Sequence, residues 1–429
     1  MKQEISEDPR IVSRPYLQNN CKCVSSHPVG GRVPAFAPCD AGLRDNLDAA
    51  NFCSATGREA GKPYDVVIVG GGAAGIGAAV PLLHAGVEDV LVIDRHGVGA
   101  SFDRWPQQMR FITPSFPTNS IGMLDLNAVA IGTSPAFSLQ LEHPTGRQYA
   151  AYLRSVAEIF KIPLRTGIDV RSLRRHGDRW LLQTDAGLIE TKFVIWAAGE
   201  FQYPRLTSFS GSNHCVHSAL IASWDQVASD EVLIIGGYES GLDAAIHLAR
   251  LGKRVTVLDR GEPWEVDSSD PSVTASPYTL ERLRAAEVRE RVTLLGGVDV
   301  FEVCRNRPGY RVQLVDGRDL VTKARPIMAT GFTGSLKLVA DHFARRTDGF
   351  PLLTDRDEST IADGLFLAGP MVRHDEHIFC FIYKFRQRFA VVAKAIAERL
   401  ELPAEQLEMY RMWGMYLDDL SCCGEECVC

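Results

Sequence analysis

Two stretches of this chain share one grammar, and that repetition limits the fold more than any other feature. Residues 64–80, YDVVIVGGGAAGIGAAV, run from a continuous apolar β segment through a glycine turn into an Ala-rich helical segment. A second apolar strand, DVLVID, follows at 89–94. The same order returns at 231–259, EVLIIGGYESGLDAAIHLARLGKRVTVLD, as strand, glycine turn, helix and strand. Two such units in one chain predict an α/β protein with two Rossmann-type nucleotide-binding domains. Apolar strand segments lie around them: RWLLQTDA, TKFVIWAAG, RVQLVD and ARPIMATG. Residues 385–400 have amphipathic helical spacing, with Ala390, Ala393 and Ile396 on one side.

The first unit carries a complete dinucleotide signal. Gly70, Gly72 and Gly75 supply G-x-G-x-x-G after a strand and into a helix. The first glycine makes the tight turn, the second lets backbone approach a pyrophosphate, and the third allows helix and strand to pack closely. The phosphate then rests on a helix N-terminus, where free N–H groups and the dipole favour an anion. Asp94 closes LVID, 24 residues after Gly70, and is placed to accept from a ribose hydroxyl. Pro81 falls inside the expected helix and is expected to kink or shorten it.

Bulk properties exclude several classes. The 429 residues suffice for two to three domains, and 45% hydrophobic with 23% charged residues is an ordinary globular composition. A net charge of −7 gives no general reason to expect nucleic acid or an anionic membrane as partner. The N-terminus lacks the apolar core of a secretory signal, and no run approaches the roughly 20 apolar residues of a membrane helix. A cytoplasmic location is the resulting expectation. Of 11 cysteines, Cys21, Cys23, Cys39 and Cys53 lie near the start, and Cys422, Cys423, Cys427 and Cys429 at the end. Only Cys215, Cys304 and Cys380 fall between them. In a reducing compartment, grouped cysteines read as metal ligands or redox groups more readily than as structural bridges.

With these motifs the sequence resembles the FAD-dependent, NAD(P)H-using oxidoreductases with two dinucleotide-binding domains. FVIWAAGEFQYPR and PIMATGF are similar to the family's two segments that cross between domains, and ADGLFLAGP to its late strand near the flavin. The resemblance covers roughly residues 64–400 and implies that the second domain is inserted in the first. It divides the chain into an irregular Cys-containing extension at 1–62, a first FAD-binding part at 63–204, and an NAD(P)-binding-like domain at 205–325. A second FAD-binding part follows at 326–402, then a C-terminal helix and Cys-rich tail at 403–429. The FAD contacts it implies include Gly70, Gly72, Ala73, Ala74, Gly75, Asp94, Arg95, Trp105, Ala198, Gly199, Gly331, Gly369 and Pro370. Those for NADH or NADPH are Gly236, Tyr238, Ser240 and Asp259. Within the superfamily the chain is most similar to flavin-containing monooxygenases and bacillithiol-disulfide-reductase-like proteins. DRWPQQMRFITPSFPTN resembles their substrate-side stretch, and Phe209, Gly211, His217 and Trp224 loosely resemble the monooxygenase fingerprint, with longer spacing about His217.

Three departures qualify that resemblance. Tyr238 replaces the glycine that lets a pyrophosphate approach, so the second site is crowded or the phosphate repositioned. Asp259 still suits a ribose and favours NADH, while Arg260 beside it argues for NADPH. Pro370 stands where many relatives carry an Asp that meets the ribityl chain. The disulfide-reductase branches need a cysteine pair against the flavin, and neither form of that pair occurs in the body of this chain. Only the termini could supply one.

The candidates for chemistry are the thiol of Cys380 and the ammonium of Lys384, in the segment 371–389, where His374, His377, Cys380 and Lys384 follow helix-like spacing. Lys384 could stabilise negative charge on a reduced flavin, although Phe379 and Phe381 also make Cys380 a candidate core residue. Four readings compete for LSCCGEECVC: redox arm, metal site, lipid anchor or solvated end. Its acidic neighbours Asp418, Asp419, Glu425 and Glu426 disfavour thiolates and favour a bound cation. By resemblance to the tails of mercuric reductases and large thioredoxin reductases, Cys422 and Cys423 are further catalytic candidates. All eight terminal cysteines are candidate ligands for zinc or another soft metal.

The sequence therefore points to an FAD-dependent oxidoreductase reduced by NAD(P)H and acting on a thiol-linked or metal-thiolate substrate. Monooxygenation of a small organic molecule is the first alternative. A non-catalytic flavin- and metal-binding redox sensor is the second. The expected partners are a small-molecule substrate and a second copy in a homodimer, with neither nucleic acid nor membrane.

Overall fold

The computed structural model describes residues 62–117, 124–268 and 270–422. Its centre is a parallel sheet grown from the first glycine unit. Strand Tyr64–Val69 pairs in parallel with Val90–Asp94 on one side and with Gly187–Trp196 on the other. Leu164–Thr166 extends the sheet beyond Val90–Asp94, and Leu365–Leu367 pairs in parallel with the end of Gly187–Trp196. The start of that same long strand forms an antiparallel ladder with Arg179–Thr184, which in turn pairs with Val170–His176. Val66, Val67 and Ile68 are fully buried because helices cover both faces. Each such side chain contributes about 1.5–3 kcal/mol relative to exposure.

A second parallel sheet repeats this order. Its strands run Val292–Leu295, Arg254–Leu258, Glu231–Ile235, Ile327–Met328 and Val216–His217. A three-stranded antiparallel meander, Val300–Asn306, Gly309–Leu314 and Asp319–Thr322, follows the strand Val292–Leu295. All these strands fall in sequence between Trp196 and Leu365 of the first sheet. The second nucleotide-binding fold is thus inserted in the first, as the family resemblance implied.

Helix Ala73–His84 runs uninterrupted through Pro81. This corrects the expectation of a shortened helix. Pro81 forfeits only a bond to the carbonyl of Gly77, and its own carbonyl accepts from Ala85 N at 2.9 Å. The helix packs against Phe389–Arg399, where Ala390, Ala393 and Ile396 are buried as their spacing predicts. No helix among the described residues is long and apolar enough to cross a membrane.

The late segment departs from its helical spacing. Arg373–His374 and His377–Ile378 form a small antiparallel hairpin turned at Asp375, whose φ of 45° is left-handed. Helix begins only at Ile382. His374 Nε2 lies 2.5 Å from Asp357 Oδ1, and Arg388 donates to both oxygens of the same fully buried carboxylate. Burial disfavours the Asp357 charge, yet Arg388 and His374 together hold its carboxyl below the usual carboxylate range. His374 is therefore part of the fold's buried charge network.

Candidate functional site

The first glycine turn forms one end of a cavity of about 340 Å³. Gly70, Gly72, Ala73, Ala74 and Asp94 line it, and so do Trp105, Ala198, Gly199 and Pro370. Two glycines of the turn face opposite constraints. A Cβ on Gly75 would lie 1.8 Å from Gly70 O, so the turn closes only without it. A Cβ on Gly72 would meet no protein atom within 4 Å. The requirement for glycine at 72 is therefore not a packing requirement: its face is a ledge open to the cavity. Gly72 is also the N-cap of helix Ala73–His84, where free N–H groups favour an anion.

Asp94 organises the same ledge. Its Oδ2 accepts from Gly71 N at 2.8 Å, and its Oδ1 accepts from His96 N at 2.7 Å and Gly97 N at 2.8 Å. A carboxylate has about four acceptor positions, so capacity for a ribose hydroxyl remains. Small residues on a ledge, a helix N-terminus and an acid at the end of the second strand fit FAD. The group would lie on Gly70, Gly72, Ala73 and Asp94. Arg95 turns away, donating to Gln202 Oε1 at 2.7 Å and lying over the Tyr203 ring. It does not line the cavity. Gly75 and Gly369 sit behind the ledge; a Cβ on Gly369 would come within 3.0 Å of Ala74 Cβ.

The same cavity also has an aromatic lining and an acid that burial perturbs. Phe201, Phe332, Phe381 and Phe385 line it together with Cys380 and Glu200. Cys380 Sγ donates to Ser272 Oγ at 3.2 Å. Burial pushes the thiol pKa up, against the opposing pull of Ser272, Lys384 and Arg373. Glu200 was missed from the sequence. Burial raises its carboxyl pKa, with Arg373 opposing, and no motif marks it except its place directly after the crossing segment Ala197–Gly199. Lys384 does not line the cavity. Its ammonium donates to Asp270 Oδ1 at 2.6 Å and to Ser272 Oγ at 2.9 Å, so its charge is spent on the neighbouring loop.

The second glycine turn repeats the first in backbone. Tyr238 has φ −85° and ψ −169°, against −87° and −169° at Gly72, and each is the N-cap of its helix. Asp259 Oδ2 accepts from Gly237 N at 2.6 Å, as Asp94 does from Gly71. Ser240 lines the same cavity; Gly236, Tyr238, Asp259 and Gly331 are not among its lining.

The loosely monooxygenase-like residues serve packing. Trp224 is fully buried, and a Cβ on Gly211 would lie 1.9 Å from Val303 O. His217 is buried, its Nδ1 accepting from Ala219 N at 3.2 Å and its Nε2 3.0 Å from Gly331 O. That geometry assigns the neutral tautomer with the proton on Nε2. Among the cysteines, Cys215 is buried in the second fold's core and Cys304 lies on the meander. Cys422 ends the described chain in a short turn, Leu420–Cys422. Cys21, Cys23, Cys39, Cys53, Cys423, Cys427 and Cys429 lie outside the described residues. Among the described residues no group of three or more His, Cys, Asp or Glu side chains is arranged to hold a metal.

Comparison with known proteins places this geometry. The sequence pattern described as "Pyridine nucleotide-disulphide oxidoreductase" matches residues 67–369. The chain is 28% identical over 200 residues to the uncharacterized oxidoreductase CzcO of Bacillus velezensis, covering 46% of this chain and 54% of that protein. It thus spans about half the length of that relative. It is 24% identical over 339 residues to the bacilliredoxin reductase Bdr of Bacillus subtilis, covering 78% of this chain and 97% of that one. Among solved structures, the bacillithiol disulfide reductase Bdr of Bacillus cereus has a TM-score of 0.64 at 24% identity, covering 79% of this chain and 100% of that one. A flavin-containing monooxygenase from Stenotrophomonas maltophilia has a TM-score of 0.61 at 17% identity, covering 82% and 99%.

Proposed function

Because this chain belongs to the pyridine nucleotide-disulphide oxidoreductase family, as an FAD-dependent NAD(P)H oxidoreductase, we propose that its substrate is the disulfide of a small thiol compound. One observation carries the choice: Cys380 is the sole described cysteine lining the cavity that begins at the FAD ledge. The net reaction is NAD(P)H plus a disulfide plus a proton, giving NAD(P)⁺ and two thiols. FAD, when bound, supplies the two electrons that it receives from the nucleotide.

Cys380 is placed to attack one sulfur of the substrate disulfide as its S–S bond breaks, forming a mixed disulfide and releasing the other half as a thiol. The two electrons from NAD(P)H, delivered through FAD when bound, then cleave that mixed disulfide, freeing the second thiol and restoring Cys380. Its own proton must leave first, because burial favours the neutral thiol at rest. Glu200, whose raised carboxyl pKa keeps a proton available, faces the same cavity and suits protonation of the departing sulfur. Phe201, Phe332, Phe381 and Phe385 give the cavity an apolar aromatic wall beside Cys380. The metal-thiolate variant of the substrate finds no support among the described residues.

The test is anaerobic. Protein reduced by NADPH or NADH is mixed with a small disulfide, and the return of the flavin absorbance is followed. Cys380→Ser should keep reduction by nucleotide and lose reoxidation by disulfide at least tenfold. Equal reoxidation in both proteins would refute the role of Cys380. A persistent flavin–oxygen adduct on re-aeration would favour monooxygenation instead.

A further inference from the structure

The two glycine turns share a backbone but not a surface. At Gly72 the ledge is bare, and a Cβ there would meet nothing. At the equivalent Tyr238 a phenol ring extends from the ledge, and its hydroxyl donates to Pro271 O at 2.7 Å. The next residue differs in the same sense. Ala73 is replaced by Glu239, whose carboxylate accepts from Ser276 N at 2.5 Å and from Thr279 Oγ1 at 2.7 Å. Residues 270–276 thus lie against the turn, tied to it at Pro271 and Ser276. The same stretch is tied to the FAD-side fold by Asp270 and Ser272, which hold Lys384 and Cys380. A pyrophosphate arriving at this helix N-terminus meets an aromatic ring and a carboxylate, where the first turn offers open space.

We infer that Tyr238 gates the second dinucleotide turn: a nicotinamide dinucleotide seats its pyrophosphate there only after the ring leaves the ledge and its bond to Pro271 breaks. Tyr238 is then the residue that sets nucleotide affinity, by imposing a closed state that binding must open. The gate is steric and polar together. The ring fills the approach, and the hydroxyl bond to a backbone carbonyl fixes which way it lies. This inference rests on the reading that the chain takes NAD(P)H at its second fold.

Oxidised nucleotides test it without electron transfer. The full FAD-loaded chain is titrated calorimetrically with NADP⁺ and with NAD⁺, as wild type, Tyr238→Gly and Tyr238→Phe. The glycine variant should bind at least one of them tenfold or more tighter than wild type. The phenylalanine variant keeps the ring but loses its tether, and should fall between, about threefold tighter than wild type. Equal affinity in wild type and the glycine variant, whether tight or weak, overturns the gate. Retained FAD serves as the check on folding. If Tyr238→Gly fails to hold FAD, Tyr238→Phe decides alone, and no gain in affinity overturns the inference. Disulfide turnover is not read in this titration, so failure of the substrate reading and failure of the gate give separate results.

Discussion

Replacing Gly72 with Ala separates what the first turn does for the protein from what it does for FAD. In the free protein the added methyl meets no atom within 4 Å, and the backbone at φ −87° suits alanine. The substitution removes conformational freedom from the unfolded chain and should stabilise the apoprotein by about 0.4–1 kcal/mol. In a chain of this size that is a rise in Tm on the order of 1–3 °C. With FAD the result reverses. The methyl enters the space that the pyrophosphate occupies, and overpacking of that kind costs about 1–3 kcal/mol, or roughly 5- to 150-fold in affinity. The assay is paired: thermal melting of the apoprotein, and titration of apoprotein with FAD followed by quenching of flavin fluorescence. Gly75→Ala is the contrast, because its Cβ collides with Gly70 O and should lower both stability and FAD affinity. Wild-type FAD affinity in Gly72→Ala would refute the placement of the pyrophosphate on this ledge. A destabilised apoprotein would refute the claim that the ledge is open.

Three further outcomes are expected. Arg388→Met leaves the Asp357 carboxylate buried beside His374 alone and should cost about 3–5 kcal/mol in urea unfolding, with Asp357→Asn recovering part of it. Burial lowers the His217 pKa below 6.5, with the Gly331 bond opposing, so the stability gained by keeping this ring neutral is present above pH 6.5 and lost as pH falls toward the depressed folded value. Melts taken from pH 7.5 down to 5.5 should show that loss, and His217→Gln should flatten it. Glu200 acts in its protonated form, and burial raises its pKa, so disulfide turnover should fall as pH rises through that raised value. Glu200→Gln should remove this limb of the profile and lower the rate below it.

Local features were legible and long-range ones were not. Gly70, Gly72, Gly75 and Asp94 lie within one strand–turn–helix–strand unit, so their spacing alone predicts the ledge. The repeat at Gly236 predicts the second fold equally well, and Tyr238 announces itself as an intruder there. Its partner at Pro271 and the Asp270–Lys384 pair span 33 and 114 residues, and no local pattern connects them. Lys384 therefore read as a charge free for the flavin. In the late segment, His374, His377 and Cys380 have helical spacing by coincidence, and the left-handed Asp375 turns the chain into a hairpin instead. Glu200 left no signal beyond its place after Ala197–Gly199, because its raised pKa comes from burial that only the assembled cavity provides. Arg95, a cofactor contact by family resemblance, donates to Gln202, 107 residues away, and lies over the Tyr203 ring, and no local pattern connects it to either.

Anaerobic reduction tests the central claim most directly. Wild-type and Tyr238→Gly proteins, each loaded with FAD, are mixed with NADPH and with NADH, and the loss of flavin absorbance is timed. Reduction by at least one nucleotide in both proteins is predicted, at nucleotide concentrations tenfold or more lower for the glycine variant. An FAD-loaded glycine variant that neither nucleotide bleaches would contradict the account.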